Sequence, residues 1–263
     1  MQTVTSKDGT TIAFDNSGSG PAVILVDGAL GSRGFESGLG QLAALLSEQF
    51  TVYHYDRRGR GDSGDHQPYA LEREIEDIEA LIDHAGGSAF MYGISSGAAL
   101  AMEAALKLGD KMKKLAMYEA PYNDDPQSRR NWVSYVNDIK GHIAAGRGDE
   151  AVLRFMMLVG MSPNDVPGVR EEPWFALLAA MGHTLLYDAA ALGDQSAIPH
   201  DKAARVSAPT LVVDGSASFP SMHTAAEALA EAMPDGEQLT LDGQTHDVQP
   251  EVLAPLLIDF FKS

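Results

Sequence analysis

The 263-residue sequence contains no cysteine. Disulfides, thiolate nucleophiles and zinc–thiolate sites are excluded together, which suits a reducing compartment. Positive charge is scarce: 19 Lys and Arg stand against 37 Asp and Glu, a formal net charge of -18. So negative a surface repels phosphate backbones and anionic headgroups, and neither nucleic acid nor a membrane is expected as a partner. "MQTVTSKDGTTIAF" lacks a basic start leading into an apolar core, so no signal peptide is expected. No apolar run is read as approaching the roughly 18 residues of a membrane span. Repeats and low-complexity tracts are missing too. A cytoplasmic protein is expected, with a homodimer left open.

What is present is a pattern. Hydrophobic residues make up 44% of the chain, enough for a sizeable core. "TVTSKDGTTIAFDNSG" reads as a hairpin turning at Asp8-Gly9. "AVILVDG", "TVYHYD", "SAFMYGI", "KLAMY", "PTLVVDG" and "EQLTLDG" read as strands. Between them, "GLGQLAALLSEQF", "YALEREIEDIEALIDHAG", "SGAALAMEAALKLG", "HTAAEALAEAMP" and "EVLAPLLIDFFKS" carry helical spacing. Alternating strands and helices imply a mostly parallel sheet covered on both faces. Residues 122–200 show helical patterns and no convincing strand, too long a stretch for a plain connection. They are expected to form a helical cap over the sheet's carboxyl edge, inserted into a core of residues 1–121 and 201–263.

The strongest chemical signal is "YGISSGAA". Gly93-Ile94-Ser95-Ser96-Gly97 fits G-x-S-x-G, with an apolar strand before it and an Ala-rich helix after it. That spacing puts Ser95 in a tight turn above the sheet, next to a helix N-terminus that favours developing negative charge. A serine nucleophile needs a base. Of eight histidines, His246 in "LDGQTHDV" follows the last strand and precedes the closing helix, on the same edge as Ser95. The N–H groups of Ala29, after Asp27-Gly28, and of Ser96 are the expected oxyanion donors. Glu119 poses a separate question: a carboxylate ends the apolar run "KKLAMY", with Pro121 two residues on.

Over nearly its whole length the chain resembles the α/β-hydrolase superfamily. "VILVDG", "YDRRGRGDS", "YGISSGAA", "PTLVVDG" and "GQTHDV" carry the resemblance. It implies an α/β-hydrolase fold with an eight-stranded mostly parallel sheet, helices on both faces, a helical cap after the sixth strand, and a Ser-His-acid triad without cofactor or metal. Two positions depart from the pattern. Asp27 stands where many members have histidine, and Ser218 stands where most place the triad aspartate. A hydroxyl cannot supply the charge a triad acid needs. "VDGALG", "GISSGAA" and "YEAPY" look most like lactone-cleaving hydrolases of the zearalenone lactonase type. Some members of the superfamily carry the acid at the end of the sixth strand, which implies Glu119. Asp214 and Asp247 are the other nearby carboxylates.

The expected function is a serine hydrolase acting through an acyl-enzyme on an ester or lactone with a hydrophobic acyl or ring portion. Gly28, Trp132, Met157, Trp174 and His183 are candidate substrate contacts, although cap aromatics and methionines also serve simply to pack helices together. The alternatives are a C–C bond hydrolase, a perhydrolase or an acyltransferase on the same scaffold, or a non-catalytic small-ligand sensor. "RRGRGDSG" is declined as a nucleic-acid tail, an adhesion tripeptide or a dinucleotide loop.

Overall fold

Continuous apolar runs become the central strands because both of their faces are covered. In the computed structural model, which describes residues 1–35 and 38–263, β3 (Ala22–Val26) is buried along its whole length. Ala22, Ile24 and Val26 enter one core and Val23 and Leu25 the other, as the two-residue period of a strand requires. The remaining strands are β1 (Gln2–Thr5), β2 (Thr11–Ser17), β4 (Thr51–Tyr55), β5 (Ala89–Ile94), β6 (Met112–Tyr118), β7 (Thr210–Gly215) and β8 (Gly236–Leu241). They form an eight-stranded sheet in the order β1-β2-β4-β3-β5-β6-β7-β8. The β1–β2 and β2–β4 pairs are antiparallel and the others parallel. This is the mostly parallel, eight-stranded sheet that the resemblance implies.

Helices cover both faces. α1 (Gly38–Leu46) supplies Leu39, Leu42 and Leu46 to one core. α2 (Leu71–His84) and α3 (Ser96–Leu108) supply Ile75, Ile78, Leu81 and a run of alanines to the other. Between β6 and β7 lie α4 (Pro126–Ala144), α5 (Gly148–Leu158), α6 (Val166–Glu171), α7 (Phe175–Met181), α8 (Leu185–Leu192) and α9 (His200–Ala203), with no strand among the described residues. α10 (Pro220–Ala232) joins the α2–α3 face, and α11 (Pro250–Lys262) the α1 face.

The helices after β6 have their own apolar cluster, including Tyr135, Ile139, Val152, Leu153 and Phe175. Leu30, from the loop leaving β3, belongs to this cluster, with Ala29 and Phe35 packed against it. The helical segment therefore rests on the carboxyl edge of the sheet.

One expectation needs correcting. Phe175–Leu192 is an 18-residue stretch long and apolar enough by composition to cross a membrane. Half of it is buried inside the protein, and it folds as α7 and α8 with a tight turn at Gly182–Thr184 between them. Asp188 within it is buried in ion pairs with Arg57 and Arg60. Its apolar character is that of helices packed between protein layers.

Candidate active site

Ser95 sits at φ 57° and ψ -130° between β5 and α3. This backbone is costly for a residue with a side chain. The flanking glycines make the turn possible. A Cβ on Gly97 would lie 2.4 Å from the carbonyl oxygens of Val26 and Asp27, and one on Gly93 would lie 2.5 Å from the Gly97 oxygen. The Ser95 amide donates to the Tyr118 carbonyl at 2.9 Å, tying the turn to β6.

Four described residues other than glycine have positive φ: Leu30, Ser95, Glu119 and Ser196. Three of them lie in the segments expected to form the site. The fourth, Ser196, braces the exit of β6: its hydroxyl donates to the Pro121 carbonyl and its own carbonyl accepts from Asn123, both at 2.8 Å. Strain of this kind persists only where surrounding contacts overdetermine it, and it gathers at functional sites.

Glu119, at φ 45°, turns its carboxylate inward with 1% exposure. It is not a solvated strand end. Oε1 accepts from the Gly215 amide at 2.9 Å, and Oε2 accepts from the Ser218 hydroxyl at 2.8 Å. Oε2 also lies 2.7 Å from His246 Nδ1. The loop bearing His246 is drawn in by Tyr118, whose hydroxyl donates to the Thr245 carbonyl at 2.5 Å. Gly215 permits that approach, because a Cβ there would lie 2.2 Å from the Gln244 oxygen. No hydrogen bond joins Ser95 Oγ to His246 among the described residues. Of the other nearby acids, Asp214 is engaged elsewhere, 2.9 Å from His223 Nδ1, and Asp247 is exposed.

The β3 loop meets Ser95 directly, since a Cβ on Gly28 would lie 3.0 Å from Ser95 Cβ. Asp27 Oδ1 accepts the Gly28 amide at 2.8 Å, so that N–H is engaged, while Oδ2 is buried with no hydrogen-bond partner among the described residues. Burial pushes the Asp27 carboxyl up, against the charges of His54 and Arg60. A cavity of about 140 Å³ lined by Asp27, Tyr92, Ile94 and Asp247 adjoins this turn. A larger one of about 330 Å³, at Pro126, Arg129 and Gln195, contains none of the expected site residues.

The expected substrate contacts scatter. Gly28 abuts Ser95. Trp132 donates its ring N–H to the Gly193 carbonyl at 2.9 Å and packs on Tyr135, so it holds α4 to the end of α8. Trp174 is 40% exposed beside Phe175. His183 Nε2 lies 3.2 Å from Asp65 Oδ2, with Tyr187 against its ring. Met157 is half-buried on α5. None of these four hydrogen-bonds Ser95, Glu119 or His246.

Three residues here were not anticipated. Arg57 and Arg60 are fully buried and converge on Asp188 of α8. Burial opposes ionisation of Asp188, but the charges of Arg60 and Arg57 and the Ser96 hydroxyl hold its carboxyl below the usual range. The only sequence signal was an arginine-rich turn in a chain short of positive charge.

A family model described as the alpha/beta hydrolase family matches residues 18–256. An alpha/beta hydrolase from Sphaerobacter thermophilus DSM 20745 is 45% identical, with 99% of this chain and 100% of that chain covered and a TM-score of 0.85. A thermophilic esterase from Thermogutta terrifontis matches at 22% identity, coverage of 99% and 97%, and a TM-score of 0.69. The enol-lactonase from Burkholderia xenovorans LB400 matches at 19% identity, coverage of 100% of each chain, and a TM-score of 0.70. The likeness to these last two is one of fold.

Proposed function

The chain belongs to the alpha/beta hydrolase family, and on that premise we propose that it is a serine hydrolase of carboxylic esters or lactones with a hydrophobic acyl or ring portion. The observation that carries this reading is the buried Glu119 carboxylate 2.7 Å from His246 Nδ1, beside the strained turn of Ser95. A carboxylate in that position fixes the imidazole tautomer and stabilises the imidazolium. Nε2 is then the nitrogen that accepts a proton, and nucleophile–base bonds are commonly long until substrate is bound.

Ser95 Oγ attacks the substrate carbonyl while His246 Nε2 takes its proton. The Ala29 and Ser96 N–H groups receive the oxyanion. As the C–O bond breaks, His246 returns the proton to the leaving oxygen, and the acyl group stays on Ser95. Water then attacks this ester with His246 again as base, releasing the acid and restoring the serine. No cofactor or metal enters the scheme. The helices of residues 122–200 act as a cap whose apolar side chains select the acyl or ring portion, with Gly28 and Met157 as substrate contacts. The sensor reading drew its support from the missing aspartate at 218, and Glu119 now supplies a carboxylate. C–C bond cleavage, perhydrolysis and acyl transfer would use the same acyl-enzyme chemistry with other bonds or acceptors.

The test is covalent labelling by a fluorophosphonate, with turnover on p-nitrophenyl esters of increasing chain length and on macrolactones. Label on Ser95, with turnover lost in Ser95→Ala, is expected. Turnover in Ser95→Ala within tenfold of the parent contradicts the assignment.

A further inference from the structure

The loop after β4 contains three arginines whose side chains have no exposed surface, Arg57, Arg58 and Arg60, and the last two differ in their partners. Arg58 turns away from the site: its guanidinium binds Asp77 at 2.7 and 2.8 Å, Asp8 at 2.8 Å and the Arg73 carbonyl at 3.2 Å. Arg60 turns toward it. Nη1 donates to the Gly28 carbonyl at 2.5 Å, and Nη2 donates to both oxygens of Asp188 at 2.8 and 2.9 Å. Nε donates to Thr184 Oγ1 at 3.2 Å. Asp188 Oδ1 also accepts from Ser96 Oγ at 2.8 Å and from Arg57 at 2.6 Å.

The contact with the Gly28 carbonyl matters because a trans peptide is planar, with its C=O and the following N–H pointing in opposite directions. Fixing the Gly28 oxygen therefore fixes the direction of the Ala29 N–H. The Gly28 amide is already engaged by Asp27, so the Ala29 N–H is the donor this loop can offer. The same Asp188 carboxylate holds the side chain of Ser96, whose backbone N–H is the second expected donor and opens α3. Those first-turn N–H groups have no partner within the helix.

We propose that Arg60, held by Asp188, is a positioning residue for the oxyanion hole, and that the Arg60–Asp188 pair links helix α8 of the cap to both oxyanion donors. Arg60 touches no substrate. It sets the plane of the Gly28–Ala29 peptide before reaction, so that no reorganisation is needed as the oxyanion forms. The inference rests on the serine-hydrolase reading, and the experiment separates the two.

Arg60→Met, Arg60→Lys and Arg58→Met are compared with the parent for rate of fluorophosphonate labelling, for kcat and KM on a p-nitrophenyl ester, and for Tm. Arg58 serves as the equally buried control, and a buried arginine lost from either position lowers Tm. Arg60→Met should slow labelling and kcat together by about ten- to hundredfold, less than the full loss of one oxyanion donor, with KM within about threefold. Arg60→Lys keeps a charge for Asp188 and guards against a variant that does not fold. It should recover part of the lost rate, because a single ammonium can reach the carbonyl but cannot fork to both partners. Arg58→Met should keep kcat within about threefold. A parent that labels, with the folded Arg60 variants labelling as fast as Arg58→Met, overturns the inference alone. A parent that does not label at Ser95 overturns the hydrolase reading and the inference with it.

Discussion

Two carboxylate–histidine pairs sit at the carboxyl ends of neighbouring strands. Glu119, at the end of β6, lies 2.7 Å from His246 Nδ1, and Asp214, near the end of β7, lies 2.9 Å from His223 Nδ1. The two carboxylates are 0% and 1% exposed, the two rings 37% and 47%. By distance and burial they are nearly the same object. The difference lies in what surrounds them. Asp214 is satisfied by adjacent structure: Gln238 and Thr240 of β8 both donate to its Oδ1, and His223 Nε2 faces Glu227 one helical turn away at 3.4 Å. Both nitrogens of that ring face acids. Glu119 reaches its partners from a strained backbone, and they come from separate elements, the end of β7 and the loop after β8. A carboxylate bound to a histidine thus marks no catalytic site by itself. What the second ring nitrogen faces, and whether backbone strain is maintained there, separates the two pairs.

The comparison is broken most severely by removing the rings. His246→Ala should lower kcat by at least about a thousandfold, as loss of a triad base does, and His223→Ala should leave kcat within about twofold. Comparable losses in both would mean that the wrong ring has been assigned. A smaller effect is expected at Ser218. Its hydroxyl is one of three groups on the Glu119 carboxylate, so Ser218→Ala should lower kcat by roughly three- to tenfold, less than the full worth of a hydrogen bond to a charged group because the other two partners remain. Kinetics at saturating ester would show it, and a parental kcat would assign Ser218 to packing alone.

The smallest effect is on stability. The hydrogen bond to Asp214 raises the His223 pKa above its usual 6.5, against burial. The pair's contribution is therefore fully present below about pH 6.5 and lost as the pH rises through the raised value. The ring is half exposed, so the effect is small. Melting curves at pH 5.5 and 8.5 should show the Tm difference between parent and His223→Ala shrinking at the higher pH, and a difference that grows would reverse the sign of the coupling.

What could be read in advance followed from local geometry. The turn at Ser95 needs glycine on both sides because backbone passes within 2.5 Å of where each Cβ would stand, and that requirement leaves a motif. Glu119 was legible because a charge at the end of an apolar strand, stiffened by Pro121, is out of place unless it is used. The Arg60–Asp188 pair was not legible: its members are 128 positions apart, and an ion pair between distant segments leaves no periodicity. The orientation of Trp174 and His183 was not legible for a related reason. Apolar spacing finds a helix without telling which face turns to the site, and Trp174 turns partly to solvent. The 18-residue apolar stretch at Phe175–Leu192 escaped notice because Asp188 and His183 interrupt it.

The central claim is that the buried acid serving His246 is Glu119 and not Asp214. Fluorophosphonate labelling of Ser95 tests it most directly, measured as a rate in the parent, Glu119→Gln and Asp214→Asn, with circular dichroism to verify folding. The account predicts a rate about a hundredfold lower or more in Glu119→Gln, and a rate within about threefold of the parent in Asp214→Asn. Parental labelling in folded Glu119→Gln, or a loss confined to Asp214→Asn, would contradict it.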